Sequence, residues 1–275
     1  MAAESMQRFY FIGVTTGQSS IMRIFPQWME LLDRPNVIVE GVDMPLHDDP
    51  ANYRRVVEQI KTRPDVVGGL VTTHKIDLLA ASSDLFDALD PYATICREVS
   101  SISKENGRLL GHATDPVAGG RCLQEMLGTD YFGRTGGHVL CLGAGGAAAA
   151  IALYFARCDK RGDRPSRFVT VDIDQTRLDK LAAMLAELAA NAFGADIEFE
   201  LVCNADARLN DELLEHLPPS SLIINATGMG KDRPGSPLTA AAQFPIKRWS
   251  GSLTIAASGC FCSRRWRSRA VCFWL

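Results

Sequence analysis

The stretch His138-Val-Leu-Cys-Leu-Gly-Ala-Gly-Gly-Ala-Ala-Ala-Ala-Ile-Ala-Leu-Tyr-Phe155 decides the fold of this chain. Its apolar start, Val139 to Leu142, is typical of a strand buried on both faces, and the alanine-rich run at its end favours a helix. The glycines between them predict a tight turn that lets the backbone approach a pyrophosphate, with Ala148 as the third small position of a Gly-x-Gly-x-x-Gly/Ala pattern. The first helix amides would then face the anion. A structural turn that binds no nucleotide is the alternative.

An acidic residue follows the next apolar run of this unit. Asp172 comes directly after a predicted strand from Phe168 to Val171, somewhat beyond the usual spacing of about 20 residues. Its carboxylate would accept a hydrogen bond from a ribose 2′-hydroxyl, and it would repel a 2′-phosphate by up to about 4 kcal/mol at ~4 Å in a partly screened site. The position favours NAD as cofactor, with NADP possible. The alternative is that Asp172 only caps the next helix.

The order of the apolar runs predicts an α/β protein of two domains. Strands and helices alternate before the glycine turn, end in a hairpin marked by Asn106-Gly107, and alternate again after the turn. A chain of 275 residues is long enough for one large or two ordinary domains, and from the two α/β runs we expect two domains with a cleft between them. The predicted parts are a substrate-binding domain, a connecting helix and linker, a Rossmann-type NAD(P)-binding domain and an aberrant tail, over residues 1–116, 117–136, 137–245 and 246–275.

Three stretches of these domains have less regular patterns. We expect two short helices to cover Ile76 to Cys96. In the second domain we expect a polar loop from Asp159 to Ser166 and a helix from Asp211 to Leu217.

Composition and charge argue against several classes of function. The chain is 47% hydrophobic and 22% charged with a formal net charge of −3, so no polyanion-binding surface is expected. The first residues lack the order of a signal peptide, and no apolar run approaches 18 residues, which predicts a cytoplasmic protein without membrane or nucleic-acid partners. The eight cysteines show no Cys-x-x-Cys pair, so we expect no metal site. Five of them lie in apolar contexts and are predicted to be reduced core residues: Cys96, Cys122, Cys141, Cys158 and Cys203.

Two charged residues follow predicted sheet elements of the first domain. Lys75 comes just past an apolar strand, and Asp115 just past the hairpin. A lysine and a carboxylate that face one cleft can pass a proton to and from a substrate hydroxyl, because the partner charge orients the lysine and partial burial lowers its pKa toward the useful range. On spacing alone, a surface salt bridge is the stronger interpretation.

Four ordered motifs resemble those of the shikimate/quinate dehydrogenase family: Thr72-Thr-His-Lys75, Gly107-Arg-Leu-Leu-Gly-His-Ala-Thr-Asp115, Gly143-Ala-Gly-Gly-Ala147 and Asn225-Ala-Thr-Gly-Met-Gly230. The resemblance covers roughly residues 9–238. It implies an N-terminal substrate domain, a C-terminal nucleotide domain and reversible hydride transfer between nicotinamide and the carbon of a ring hydroxyl or ketone on a cyclic hydroxy acid. It further implies a place in the shikimate pathway of aromatic amino acid biosynthesis, as a monomer or homodimer.

The resemblance also implies roles for single residues. Lys75 matches the catalytic lysine of the family and Asp115 its partner aspartate, while Ser19, Thr72 and Ser100 match positions that face the substrate. Asp172 falls where NADP-using members begin an Asn-Arg-Thr motif, which again favours NAD. The matching cofactor-binding positions are Gly143, Ala144, Gly145, Gly146, Ala147, Asp172, Asn225, Ala226 and Thr227.

Departures from the family pattern concern the substrate. The lysine motif of the family is shortened to Val71-Thr-Thr-His-Lys75, while the lysine itself is kept. We therefore expect retained chemistry and a substrate smaller or less hydroxylated than shikimate. A catalytically inactive homologue that binds NAD or a small ligand is the alternative, and a folate-type methylene dehydrogenase is supported by a first-domain lysine alone. The altered contact positions, which replace a serine, a proline and two asparagines of the family, are Ile21, Met22, Ser100 and Ala113.

The composition changes abruptly from Arg248 onward. Residues 249–275 hold three of the four Trp, three of the eight Cys and no acidic residue. The family continues with a strand and a helix, and neither is predicted here. A frameshift is the favoured explanation, and a basic, aromatic segment that binds nucleic acid or a membrane is the alternative.

Overall fold

The structure is a computed structural model that describes residues 5–157, 161–191, 193–229 and 234–244, together with the backbone of strands at 254–256 and 271–274. The chain divides into two compact units, Met1–Thr114 and Asp115–Leu275. Each unit is built on one six-stranded sheet with helices connecting its strands. The predicted α/β class is therefore confirmed.

A mixed sheet forms the first unit. Its strands are β1 (Gln7–Gly13), β2 (Val37–Asp43), β3 (Val66–Val71), β4 (Ala88–Leu89), β5 (Ser101–Glu105) and β6 (Arg108–His112). The first three strands run parallel with β1 in the middle, and the hairpin β5–β6 joins β3 antiparallel. The short β4 pairs with β6, which gives the order β2-β1-β3-β5-β6-β4.

The helices of the first unit are α1 (Ser20–Leu31), α2 (Pro50–Thr62), α3 (Lys75–Ser82) and α4 (Pro91–Cys96). Both α2 and α4 begin with an Asp-Pro pair, in which the aspartate caps free amides and proline takes the first helical position. The apolar faces of α2 and α3 contribute to one core with the sheet, in which Tyr53, Ile60, Leu78 and Ile102 are buried. This packing holds the start of α3 against the carboxyl end of β3.

A parallel sheet forms the second unit. Its strands are β7 (Val139–Leu142), β8 (Arg167–Asp172), β9 (Glu198–Cys203), β10 (Leu222–Asn225), β11 (Thr254–Ala256) and β12 (Val271–Trp274). Their order is β11-β12-β10-β7-β8-β9, with all pairs parallel. All four residues of β7 are buried, as its apolar run predicts.

The helices of the second unit are α5 (Asp115–Leu127), α6 (Tyr131–Thr135), α7 (Gly146–Arg157), α8 (Gln175–Ala190) and α9 (Ala207–Glu215). Helices α5 and α7 pack closely, because a Cβ added to Gly120 of α5 would come within 2.0 Å of the Tyr154 ring of α7. The other face of α7 is apolar and includes the buried Ala148, Ile151 and Phe155. The alanine-rich run therefore serves close packing, which positions the start of α7.

The structure corrects the predicted start of one helix and adds one short strand. The helix expected from Asp211 begins at Ala207, because the Asp206 carboxylate accepts the Arg208 N–H at 2.9 Å and caps that helix. Strand β4 lies within the interval where only two helices were expected. A strand of two residues is too short to show an alternating pattern, so the sequence gives no signal for it.

The expectation that the tail contains no strand is wrong at two short segments. The backbone of β12 pairs with β10, and β11 pairs with β12. Parallel pairing satisfies main-chain N–H and C=O groups whatever the side chains are, so an irregular composition does not exclude it. The rest of the tail, with Cys260 and Cys262, lies outside the described residues, as do Cys158 and the first positions of the predicted Asp159–Ser166 loop.

Two of the cysteines predicted to be in the core lie on the surface. Cys141 is buried in β7 and Cys96 is half-buried, whereas Cys122 and Cys203 are exposed. Cys203 is exposed because it ends β9, the strand at one edge of its sheet. Within the described part of the chain, no helix is long and apolar enough to cross a membrane.

Candidate functional site

The glycine turn after β7 has the geometry that its sequence predicts. Gly143 has φ +107°, a conformation that L side chains rarely adopt. Its N–H donates to Val171 O at 2.6 Å, which ties the turn to β8. A Cβ added to Gly143 would lie 2.7 Å from the carbonyl carbon of Ala226. Both the backbone conformation and the close approach of the loop after β10 therefore require glycine here.

The second glycine of the turn leaves an open face. A Cβ added to Gly145 would meet no atom within 4 Å. Helix α7 begins at the next residue, and the Ala149 N–H donates back to Gly145 O at 3.1 Å. An open backbone at the start of a buried helix lets a phosphate approach the first amides without displacing a side chain. The predicted positions Gly145, Gly146 and Ala147 thus fit the pyrophosphate of a dinucleotide.

Asp172 ties the glycine turn to the end of β8. Its side chain is only 5% exposed. One carboxylate oxygen accepts the Ala144 N–H at 2.7 Å and the other accepts the Asp174 N–H at 2.9 Å. The cap of α8 is Asp174, whose carboxylate accepts the Thr176 N–H at 2.9 Å. The alternative that Asp172 caps this helix is therefore wrong.

An arginine that the sequence analysis missed lies beside this carboxylate. The Arg177 Nη1 atom is 3.9 Å from Asp172 Oδ2, and its Nε atom is 3.6 Å from Asp174 Oδ2. The guanidinium is half-exposed, so it offsets part of the negative charge at the end of β8. Its position in the first turn of α8 was the available signal, since one helical turn brings a residue back beside the end of the preceding strand.

The loop after β10 completes the group of predicted cofactor residues. Asn225 Oδ1 accepts the Thr227 N–H at 3.1 Å and its hydroxyl at 2.6 Å, while Asn225 Nδ2 donates to Met229 O at 3.1 Å. The Ala226 N–H donates to Leu142 O at 2.7 Å. Since β10, β7 and β8 are parallel neighbours, the structure brings these residues together with the glycine turn and Asp172 at the carboxyl end of the three strands.

Lys75 takes the first position of α3, directly after the end of β3. It is half-buried, and its carbonyl oxygen accepts the Val99 N–H at 3.2 Å. Thr72 is also partly buried, and its N–H donates to Ile12 O at 3.0 Å, next to β1. The predicted lysine and threonine therefore lie at the carboxyl end of the parallel strands of the first unit. Asp115 is partly buried and begins α5, the first helix of the second unit.

Ser19 precedes α1 at the position of a helix cap, but its side chain makes no capping hydrogen bond. The loop before it is held instead by Thr16, whose N–H and hydroxyl donate to Asp43 Oδ1 at 2.7 and 2.5 Å. These bonds lower the pKa of the Asp43 carboxyl. The hydroxyl of Ser19 is thus not used for capping α1.

Ser100 lies between the ends of β3 and β6 and is 1% exposed. Its hydroxyl oxygen accepts the Thr114 N–H at 2.8 Å and is 2.9 Å from the Thr114 hydroxyl. Its carbonyl oxygen accepts the Val71 N–H at 2.8 Å. The hydrogen-bonding capacity of this predicted substrate residue is therefore largely used inside the first unit, in holding Thr114.

Burial also affects a thiol next to the glycine turn. The Cys141 Sγ atom lies 3.6 Å from Gly143 O. Burial raises the pKa of this thiol well above its usual range, and the nearby Asp172 charge adds to the effect. Within the described residues, no group of three or more His, Cys, Asp or Glu side chains could hold a metal ion.

Comparison with curated proteins gives relatives that are named shikimate dehydrogenase (NADP(+)). The chain is 30% identical over 218 residues to the shikimate dehydrogenase (NADP(+)) of Methylobacterium radiotolerans, which covers 76% of this chain and 68% of the relative. It is 26% identical over 159 residues to the enzyme of the same name from Streptococcus suis, and there spans 50% of the length of the relative. The chain thus spans about half the length of some of these curated relatives. No family model matches the chain.

Solved structures share the fold. Quinate dehydrogenase from Corynebacterium glutamicum in complex with NAD matches with a TM-score of 0.65 and 19% identity, over 87% of this chain and 77% of that chain. Shikimate 5-dehydrogenase from Listeria monocytogenes in complex with shikimate and NAD matches with a TM-score of 0.64 and 20% identity, over 86% of this chain and 74% of that chain.

Proposed function

The chain belongs to the shikimate dehydrogenase family, and on that premise we propose that it catalyses the reversible NAD(P)-dependent oxidation of a ring hydroxyl on a cyclic hydroxy acid. The observation that carries this proposal is the arrangement of residues at the carboxyl end of β7, β8 and β10. There an open glycine turn, a buried carboxylate and the Asn225–Thr227 loop adjoin one another, as a dinucleotide site requires.

The chemistry proposed for the first unit is proton transfer by Lys75. As the alcohol is oxidised, the Lys75 amine takes the hydroxyl proton, and in the reverse direction the ammonium returns it to the carbonyl oxygen. From the match of its motif to the family, we propose Asp115 as the partner aspartate of this lysine. When bound, nicotinamide supplies or accepts the hydride. The half-buried position of Lys75 at the start of α3, directly after the carboxyl end of β3, supports this role.

We propose NAD as the preferred cofactor, with NADP accepted. The buried Asp172 carboxylate favours a ribose 2′-hydroxyl over a 2′-phosphate, but its oxygens already accept two backbone amides and Arg177 offsets part of its charge. The preference should therefore be moderate. Titration with each dinucleotide tests it, and equal affinities would remove the proposed role of Asp172 in discrimination.

We also propose a substrate smaller or less hydroxylated than shikimate. Ile21 and Met22 bring apolar side chains to positions where the family has a serine and a proline, and the Ser100 hydroxyl is held by Thr114. Fewer polar groups then remain to satisfy the hydroxyls of a polyol acid, and an unpaired hydroxyl in a site disfavours binding. Higher kcat/KM for shikimate than for any less hydroxylated analogue would contradict this.

Reduction of NAD and NADP by shikimate, quinate and simpler cyclic hydroxy acids tests the function. Lys75→Met should lower kcat by about 10²–10⁴-fold while NAD affinity, measured by calorimetry, stays the same. The exposed Lys180→Met serves as the matched control and should change neither value. NAD binding without turnover of any such acid would identify an inactive binding protein. Absence of both would refute the proposal.

A further inference from the structure

A strained turn connects β3 to the lysine that begins α3. Thr73 has φ +52°, a conformation that is uncommon for any residue with a side chain and an outlier for a β-branched one. The His74 N–H donates to the Thr72 carbonyl oxygen two residues back, so Thr73 is the centre of a three-residue γ-turn of the rare, positive-φ form. Strain of this kind persists only where the surrounding structure holds the turn.

The side chain of His74 supplies such a hold. It is 1% exposed, and its Nδ1 atom lies 3.1 Å from the hydroxyl of Tyr53 on α2. That hydroxyl also accepts the Asp48 N–H at 3.1 Å and is 3.4 Å from Pro45 O. Tyr53 is itself 1% exposed. The turn after β3 is thus fixed by one buried hydrogen bond to a different helix.

The ordinary structural role of a residue at this position does not account for His74. It occupies the cap position of α3, but its side chain makes no capping hydrogen bond, and its other ring nitrogen, Nε2, is buried without a hydrogen-bond partner among the described residues. A buried, half-satisfied imidazole is costly compared with an apolar side chain of the same size. The hydrogen bond to Tyr53 beside the strained Thr73 is therefore what a histidine provides at this position that an apolar side chain would not.

We propose that His74 is a positioning residue for Lys75, which holds the strained turn through Tyr53 and so fixes the backbone from which the lysine extends. This inference rests on the proposed function of Lys75. The link is short: His74 and Lys75 are adjacent, the His74 carbonyl oxygen accepts the Leu78 N–H at 2.8 Å, and the Lys75 carbonyl oxygen accepts the Val99 N–H at 3.2 Å. Rotation of the backbone at Thr73 would break this arrangement and move the amine.

The test uses the full chain and three kinds of variant. His74→Phe keeps the ring and removes Nδ1, Tyr53→Phe removes the hydroxyl at the other end, and His74→Asn offers an amide oxygen in place of Nδ1. His74→Phe and Tyr53→Phe should each lower kcat about tenfold or more with KM within about twofold, because a misplacement of 1 Å suffices for such losses. The double variant should be no worse than either single one, and His74→Asn should recover part of kcat.

A second readout does not depend on turnover. Reductive methylation of Lys75 in the cofactor-free protein is measured by mass spectrometry relative to the exposed Lys180. It should be about threefold faster in His74→Phe and in Tyr53→Phe than in wild type, since a loosened turn exposes the amine. Unchanged labelling of Lys75, or additive losses in the double variant, would overturn the proposal. If wild-type protein oxidises no cyclic acid, the proposed function fails, and the labelling result still decides whether His74 positions Lys75.

A further variant separates the strain at Thr73 from the buried pair that holds the turn. Thr73→Gly removes the strain without touching the buried pair, so it should fold at least as stably as wild type and keep kcat within about twofold, because His74 and Tyr53 still hold the turn. The control is Asn106→Gly, at another residue with φ +52°, in the hairpin turn. It should leave kcat unchanged. A Thr73→Gly protein that loses kcat and gains Lys75 labelling as far as His74→Phe would show that the buried pair does not hold the turn, and would refute the positioning role.

Discussion

The two strand-to-helix turns that carry the candidate chemistry are built in opposite ways. The turn after β7 places its positive φ at Gly143, where no Cβ is present to clash, and is held by the backbone of β8 and the Asp172 carboxylate. The turn after β3 places its positive φ at Thr73 and is held by a side-chain pair, Tyr53 and His74. One turn is relaxed and locally encoded, whereas the other is strained and depends on a distant helix.

This difference agrees with the role proposed for each turn. A pyrophosphate is bound by backbone amides, so the turn after β7 needs an open main chain and small residues. A proton-transferring amine is a side chain, and its placement depends on the φ and ψ angles of the residues before it. The turn after β3 therefore gains from tertiary contacts that fix one backbone conformation, even a strained one.

The largest expected effect comes from adding a single methyl group to the relaxed turn. Gly143→Ala should lower the free energy of unfolding by about 3 kcal/mol, because the variant combines an unfavourable φ with a Cβ that lies 2.7 Å from the Ala226 carbonyl carbon. Gly145→Ala is the matched control and should change stability by less than about 0.5 kcal/mol, since its Cβ enters open space. Urea unfolding measures both. Equal effects would show that the two glycines are not distinguished as described.

The next effect tests how the carboxylate holds the relaxed turn. Asp172→Ala should lower the free energy of unfolding by about 2 kcal/mol, because it leaves the Ala144 and Asp174 amides without their acceptor. Asp174→Ala removes only the cap of α8 and should cost about 1 kcal/mol. Thermal unfolding of the two variants provides the comparison. A larger loss for Asp174→Ala would mean that Asp172 does not anchor the turn.

A smaller effect of opposite sign is expected in the strained turn. Thr73→Gly should raise the free energy of unfolding by about 0.5 kcal/mol, since relief of the Cβ clash at φ +52° exceeds the entropy cost of glycine. Asn106→Gly should be close to neutral, because asparagine tolerates this conformation. Chemical denaturation followed by circular dichroism gives the difference. Destabilisation by Thr73→Gly would show that the turn after β3 is not strained.

The smallest effect concerns the ion pairs of Asp65, which lie at the opposite end of β3 from the strained turn. Arg63 and Arg8 hold the pKa of Asp65 at about 2. Because this value is lowered, the pairing stabilises the folded first unit above the unfolded pKa of about 4 and is lost as pH falls toward 2. Asp65→Asn should therefore weaken the first unit slightly at pH ~6 and not at pH ~2.

Hydrogen exchange read separately for peptides of the two units measures this difference. The second unit is the internal control and should exchange equally in both proteins at each pH. A difference between wild type and Asp65→Asn that grows on acidification would contradict the assigned direction.

The relaxed turn and its surroundings were predictable from sequence because their signals are local. The apolar run before Gly143, the alanine-rich run after it and the aspartate at the end of the next strand each follow from composition within a few residues. The start of α9 was also available, since Asp206 at its cap is a standard start signal that the apolar pattern outweighed.

The strained turn was not predictable, although the place of Lys75 directly after a predicted strand was. Tyr53 and His74 are separated by 21 residues and meet only because α2 packs beside α3. The same holds for Ser100 and Thr114, whose hydroxyl contact depends on the pairing of β5 and β6. Contacts of this kind need the register of a sheet or the packing of two helices, which no single-sequence pattern specifies.

The buried Cys141 thiol in β7 can be used to measure how often the backbone beside it opens. Thiolate is the form that alkylating reagents attack, and the Cys141 thiol is both buried and hard to ionise, so it can react only while the turn beside it is open. The exposed Cys122 and Cys203 react without such a delay. The slow alkylation rate at Cys141 therefore reports how often the Gly143 backbone opens, and a molecule that binds across that turn lowers this rate in proportion to the fraction of protein that remains unbound.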